Sequence, residues 1–163
     1  MSWNHGKKVI TDIKQFPEGT YGFVYMITNL DTYDFYIGRK QLMAKVTRPP
    51  LKGQKKKRVE FKQSKWVDYQ SSNKEVQEWS NVEKVILTLA FSKIGLTYFE
   101  TKALFCLGAL EDNKSLNGNI NGKYYKDKIQ TEMQLFKEAV KPLVPNPVLE
   151  DECRRNFHQM SCT

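Results

Sequence analysis

The chain has 163 residues, 40% of them hydrophobic, and a formal net charge of +8. That length suits one domain with a real core, and the apolar content excludes a disordered chain. No apolar run reaches the roughly 18 residues of a membrane-spanning helix, and the opening MSWNHGKKVITDIKQF lacks the apolar region of a secretory signal, so a cytoplasmic protein is expected.

Residues 1–20 read as a lead-in that closes on the turn signal Phe16-Pro17-Glu18-Gly19. Residues 21–29, YGFVYMITN, are rich in aromatic and β-branched types and predict a strand. Turn formers follow at 30–34, and FYIG at 35–38 predicts the returning strand of a hairpin. From Arg39 to Lys65 there are eleven Lys or Arg and a single acid, Glu60. This stretch carries more positive charge than the whole chain, so the remainder is net acidic. Pro49, Pro50 and Gly53 are expected to break any regular element here, and the run KGQKKKR at 52–58 reads as a mobile loop. Long unstructured loops in compact domains usually carry function, and a concentrated basic patch suits a polyanion, because each neutralised phosphate releases a counterion. A solvated lysine-rich loop has the same composition.

Ser71-Ser72-Asn73 is a helix N-cap signal for a short helix over 73–80. Val85, Leu87, Leu89 and Phe91 alternate with Ile86, Thr88 and Ala90, which predicts a third strand ended by Gly95. Thr97 would cap a helix running to about 111, with Phe99, Ala103, Cys106, Leu107 and Leu110 facing the core. NGNINGK at 117–123 is a turn-rich loop, a last helix runs over about 126–140, and the prolines 142, 145 and 147 predict an extended end. The fold class is α+β, with helices flanking a mainly antiparallel three-stranded sheet. The division is a lead-in over 1–20, a domain over 21–124 and a helical, extended appendage over 125–163.

Three cysteines argue against a disulfide framework. Cys106 lies in an apolar run and reads as a buried thiol. Cys153, His158 and Cys162 supply only three of the four ligands of a structural zinc, and a plain tail is the expectation. With His5 and His158 near the two ends, no histidine-based triad can be built, and no phosphate-cradling GxxxxGK[ST] loop is present. Tyr25 and Tyr36 stand eleven residues apart across the predicted turn. Paired strands would bring these phenols close, with Gly38 leaving room for a backbone or a phosphate. The same pattern fits two core tyrosines, since Tyr favours strands.

The segment YGFVYMITNLDTYDFYIGRK resembles the opening of the GIY-YIG nucleases: GFVY at 22–25 stands where the family has its first motif, and YIG at 36–38 matches the second. SKWVDYQSS at 64–72 is similar to the S-x-W-x-x-Y-x-x-S stretch of the phage Seg-type homing branch. LTYFETKALF at 96–105 resembles the helix that carries the family's metal-binding glutamate, here Glu100. SLNGNINGK at 115–123 resembles the segment with its asparagine, here Asn117. The resemblance implies an endonuclease that hydrolyses phosphodiester bonds in double-stranded DNA, with Mg²⁺ or Mn²⁺ on Glu100. Tyr25 would pass a proton from water, and Tyr36 would orient it or contact the phosphate. Typical members carry a catalytic arginine on a helix about ten residues past YIG, but Val46 stands there. Arg39 or Lys40 is therefore expected to take the phosphate-stabilising role, with Arg48 as an alternative. Alternation along the strand puts Lys40 on the face of Tyr36. Arg48, Lys52, Lys55, Lys56, Lys57, Arg58, Lys62 and Lys65 are expected to contact DNA. A degenerate DNA-binding module without catalysis, and either a monomer or a homodimer, remain open at this level.

Overall fold

A computed structural model describes residues 2–53 and 55–140. In chain order the elements are β1 (Trp3–His5), β2 (Lys8–Ile10), a 3₁₀ turn (Ile13–Gln15), β3 (Gly22–Asn29), β4 (Phe35–Gln41), β5 (Met43–Arg48) and β6 (Arg58–Gln63). Then come α1 (Lys74–Glu78), β7 (Val82–Ala90), α2 (Lys93–Cys106), β8 (Asn119–Ile120), β9 (Tyr124–Tyr125) and α3 (Lys126–Val140). No helix among the described residues is long and apolar enough to cross a membrane.

The α+β class holds, but the main sheet is mixed and has five strands in the order β2-β1-β7-β3-β4. The three expected strands are its neighbours β7, β3 and β4, antiparallel throughout. The other two come from residues 1–20, which do not form a mere lead-in. β1 runs parallel to β7, and β2 turns back on β1 through Gly6, held at a φ of +57°. Hydrophobic burial explains the docking. Trp3 is fully buried, edge-on to Phe23 and Tyr25, and its indole Nε1 donates to the Trp66 carbonyl at 2.9 Å. Burying one large apolar side chain stabilises a fold by about 1.5–3 kcal/mol.

The sheet is covered on both faces, which is why β3 reads as a near-continuous apolar run. One face packs Val24, Ile37, Leu87 and Ala90 under Leu96, Ala103 and Leu104 of α2. The other packs Phe23, Tyr25, Ile27 and Ile86 with Trp3, Phe16, Trp66 and Val76. The simple alternation expected for β7 fails at one place. The register slips between Val24 and Tyr25, leaving Leu87 as the extra residue of a bulge. Leu87 and Ala90 then share the α2 face, while Ile86 and Leu89 face the aromatic layer.

The basic stretch is not an unstructured loop. β4 continues to Gln41, and β5 pairs with β6 from Met43↔Gln63 to Arg48↔Arg58 as a two-stranded ribbon. Pro49, Pro50 and Gly53 fall in its turn. Leu42 and Trp66, both buried, bracket the ribbon, and Ser64 N–H donates to the Leu42 carbonyl at 2.8 Å. The helix expected to start at Thr97 starts at Lys93. Ser92 is the cap, and its hydroxyl accepts from Gly95 N–H, so Gly95 belongs to the first helical turn and breaks nothing. Cys106 is only partly buried. The expected loop 117–123 contains β8 and runs on through a turn to β9. The expected last helix is α3, whereas the proline-rich segment, Cys153, His158 and Cys162 lie outside the described residues.

Candidate active site

The β3–β4 register builds the site. Tyr25 lies opposite Gly38, and Ile27 opposite Tyr36. Period-two alternation then puts Tyr25, Tyr36, Gly38 and Lys40 on the aromatic face and Ile37 and Arg39 on the α2 face. A Cβ on Gly38 would meet the Tyr25 hydroxyl oxygen at 2.6 Å and its Cζ at 2.7 Å. Only glycine admits the phenol across the strand at this point. Tyr25 is 1% exposed, and its hydroxyl is hydrogen-bonded to Tyr69 and Ser71. Burial pushes this phenol far above its ordinary pKa, and the neighbouring Tyr69 and Tyr36 push the same way, so it stays protonated. Tyr69 packs edge-on to Tyr25 and carries the Lys40 ammonium 3.7 Å above its ring. Burial holds Lys40 below the usual lysine range.

Across the sheet, Glu100 sits about two turns into α2. A helix starting at Thr97 would put it in the first turn, where an acid could simply complement the helix dipole, but the earlier start of α2 removes that explanation. Glu100 Oε2 lies 3.2 Å from Arg39 Nε. The same guanidinium donates to the Thr97 hydroxyl. Burial pushes the Glu100 carboxyl above the usual range, and Arg39 pulls it back.

Asn117 joins the two sides. It is buried, and its Oδ1 accepts from Ile37 N–H at 2.9 Å while its Nδ2 donates to the Ile37 carbonyl at 2.8 Å. Just before it the main chain bonds Phe35 on both sides, through Lys114 and Leu116. Residues 114–117 therefore cover the outer edge of β4, and a side-chain amide takes over where the backbone departs.

Tyr36, Ile37, Arg39, Glu100 and Asn117 line one polar cleft of about 400 Å³. Asn73, the N-cap of α1, enters from the aromatic side and Leu104 of α2 from the other, so the cleft straddles the edge of β4. Of the expected site residues, Tyr36, Arg39, Glu100 and Asn117 meet here. Tyr25 and Lys40 lie on the aromatic face and do not line the cleft. Arg48, Arg58 and Lys62 are on the β5–β6 ribbon, Lys52, Lys55, Lys56 and Lys57 in its turn, and Lys65 just beyond it.

A family model described as "Putative endonuclease segE, GIY-YIG domain" matches residues 3–129. The chain belongs to this GIY-YIG family. The match begins in β1 and ends in α3, so it takes in the whole five-stranded sheet. No curated protein and no solved structure matches the chain.

In this GIY-YIG domain, GFVY lies on β3 and YIG on β4, and the helix expected of the family after YIG is replaced by the ribbon. Val46, at the place of the usual arginine, is paired with Glu60 in that ribbon. Arg48 is bonded to Glu60 at 3.2 Å, which leaves Arg39 as the arginine beside Glu100. Sequence reasoning misses Asn73, Asn119 and Asn121, which also line the cleft. Asn73 signals only a cap, and nothing local marks the other two. It also misses what SKWVDYQSS does. Ser64 closes the base of the ribbon, Trp66 is core, and Tyr69 and Ser71 hold the Tyr25 hydroxyl.

Proposed function

We propose that this GIY-YIG domain is a metal-dependent DNA endonuclease with one active site per chain. The convergence of Tyr36 and Arg39 of β4 with Glu100 of α2, a helix distant in sequence, on one cleft carries the reading. The donor set can be tested against a metal. No group of three or more His, Cys, Asp or Glu occurs among the described residues, so a structural zinc cage does not fit there. One half-buried carboxylate in a polar cleft does fit Mg²⁺ or Mn²⁺, which retains waters and accepts substrate oxygens. When bound, such an ion supplies Lewis acidity toward the phosphate and lowers the pKa of water. Glu100 would hold it. Arg39, tethered by Thr97, would turn its donors to the phosphoryl oxygens where charge develops. Tyr36 would hydrogen-bond the attacking water or a phosphate oxygen. Tyr25 and Asn117 would act by positioning, the first under Gly38 and the second on the Ile37 backbone. Double-stranded DNA is the substrate this reading requires, and the phage homing-type role rests on the Seg-type resemblance.

The test is nicking of supercoiled plasmid with Mg²⁺ or Mn²⁺. Glu100→Ala should lose at least about 100-fold in rate and keep its affinity for duplex DNA. Nicking by that variant at the native rate would refute the assignment. The Arg39–Glu100 ion pair favours a second reading, a binding module whose carboxylate is committed to the arginine. A native chain that binds duplex DNA but never nicks it, with either metal, would establish that one instead.

A further inference from the structure

The β5–β6 ribbon has two unlike faces. By its register, Ala44, Val46, Arg48, Arg58, Glu60 and Lys62 share one face. Ala44, Val46 and Glu60 there are half-buried, and Arg48 is paired with Glu60. Met43, Lys45, Thr47, Val59, Phe61 and Gln63 form the other, and all six are exposed, Phe61 by 67%. A ribbon of two strands is marginal by itself, and leaving its aromatic residue in water gains the fold nothing. The charge around this face selects the occupant: Lys52, Lys55, Lys56, Lys57 and Arg58 crowd the tip.

We infer that this face reads bases in the major groove of duplex DNA, making the ribbon the sequence-recognition element of the nuclease. The inference rests on the DNA-endonuclease reading above. The major groove is about 12 Å wide and admits a two-stranded ribbon. A six-residue strand spans about 20 Å, roughly six base-pair steps. The side chains match what the groove presents. Lys45 can bond guanine O6 and N7, Gln63 can bond adenine N6 and N7, and Met43, Val59 and Phe61 offer apolar contact to thymine methyls. The tip lysines fall on phosphates, which set register without reading sequence. Only Leu42 separates β5 from β4, which carries Arg39. The face that reads the site is thus tied to the cleft that cuts beside it, with Leu42 and Trp66 as buried anchors.

The experiment selects bound sequences from a randomised duplex pool, using the full chain without divalent metal, and maps cut sites with Mg²⁺ in parallel. The native chain should discriminate by about tenfold or more at several neighbouring base pairs. The triple variant Lys45→Ala, Phe61→Ala, Gln63→Ala should flatten that preference while the salt dependence of binding stays within error. The triple variant Lys55→Ala, Lys56→Ala, Lys57→Ala should do the reverse. It should keep the preference and reduce the slope of log K against log salt by about 0.9 for each phosphate that is no longer neutralised. All six positions are exposed, so native melting temperatures are expected for both variants. Methyl green, a major-groove ligand, should displace the native chain, and netropsin, a minor-groove ligand, should not. A preference that survives the first triple variant, no preference in the native chain, or displacement by netropsin alone would each overturn the inference while the nuclease reading stands. A native chain that neither binds nor cuts DNA would overturn both.

Discussion

Asn117→Ala removes the two hydrogen bonds that tie residues 114–117 to the Ile37 backbone at 2.9 and 2.8 Å. Ile37 is 1% exposed, so its N–H and carbonyl lose their partners in a place water reaches only from the cleft. An unsatisfied buried polar group costs about 1–3 kcal/mol. With two such groups and partial access of water, the expected loss is about 2–4 kcal/mol. Asn117→Asp sharpens the test, because it keeps an acceptor for the Ile37 N–H but sets a carboxylate oxygen against the Ile37 carbonyl. Only the protonated carboxyl can donate there, so its folded pKa must rise above the unfolded value of about 3.9. The folded state then binds the extra proton. Relative to the native chain, the Asp variant should be nearly unimpaired below the unfolded pKa and should lose stability as pH rises toward the folded pKa. Urea denaturation of the native chain and both variants, from acid to neutral pH, provides the measurement. A loss below about 1 kcal/mol for the Ala variant, or a pH-independent difference for the Asp variant, would refute this account of Asn117.

In the metal-free chain, burial raises the Glu100 pKa and Arg39 opposes the rise, so an NMR titration should find this carboxyl above the ordinary carboxylate range, and Arg39→Gln should move it higher still. The same sign applied to stability gives the folded state the greater share of protons, so the Glu100 contribution is present at low pH and is lost as pH rises through the folded pKa. Metal-free Glu100→Gln should therefore melt no lower than the native chain at neutral pH. Trp3→Ala should destabilise by about 3–5 kcal/mol in denaturant titrations, since Trp3 is fully buried and bonded to Trp66; a loss under about 1 kcal/mol would make residues 1–20 dispensable after all. Gly38→Ala should cost about 1–3 kcal/mol, because its methyl would press on the Tyr25 hydroxyl at 2.6 Å; native stability in a melt would show that the phenol can move aside.

What the sequence determined by itself was local. The aromatic and β-branched run of β3, the apolar β7 and the cap signal at Asn73 each reflect preferences that neighbouring residues set. The eleven-residue spacing of the tyrosines across a turn likewise fixed that they share a strand pair and flank Gly38, and alternation put Lys40 on their face. What only the tertiary structure decided depends on partners distant in the chain. Trp3 reads as tail because its role lies in burial against Phe23 and Tyr25 and in a bond to Trp66. The basic stretch reads as loop because each ribbon face mixes charged with apolar residues, so no clean alternation marks a strand, and pairing of β5 with β6 supplies the order that composition withholds. Arg39 cannot be chosen over Lys40 from the sequence, since strand alternation says that they face apart but not which face meets α2. Asn117 acts on a backbone eighty positions away, and no local rule reports that distance. The cleft sits where those long-range choices meet, at the one edge of β4 that the sheet leaves to side chains.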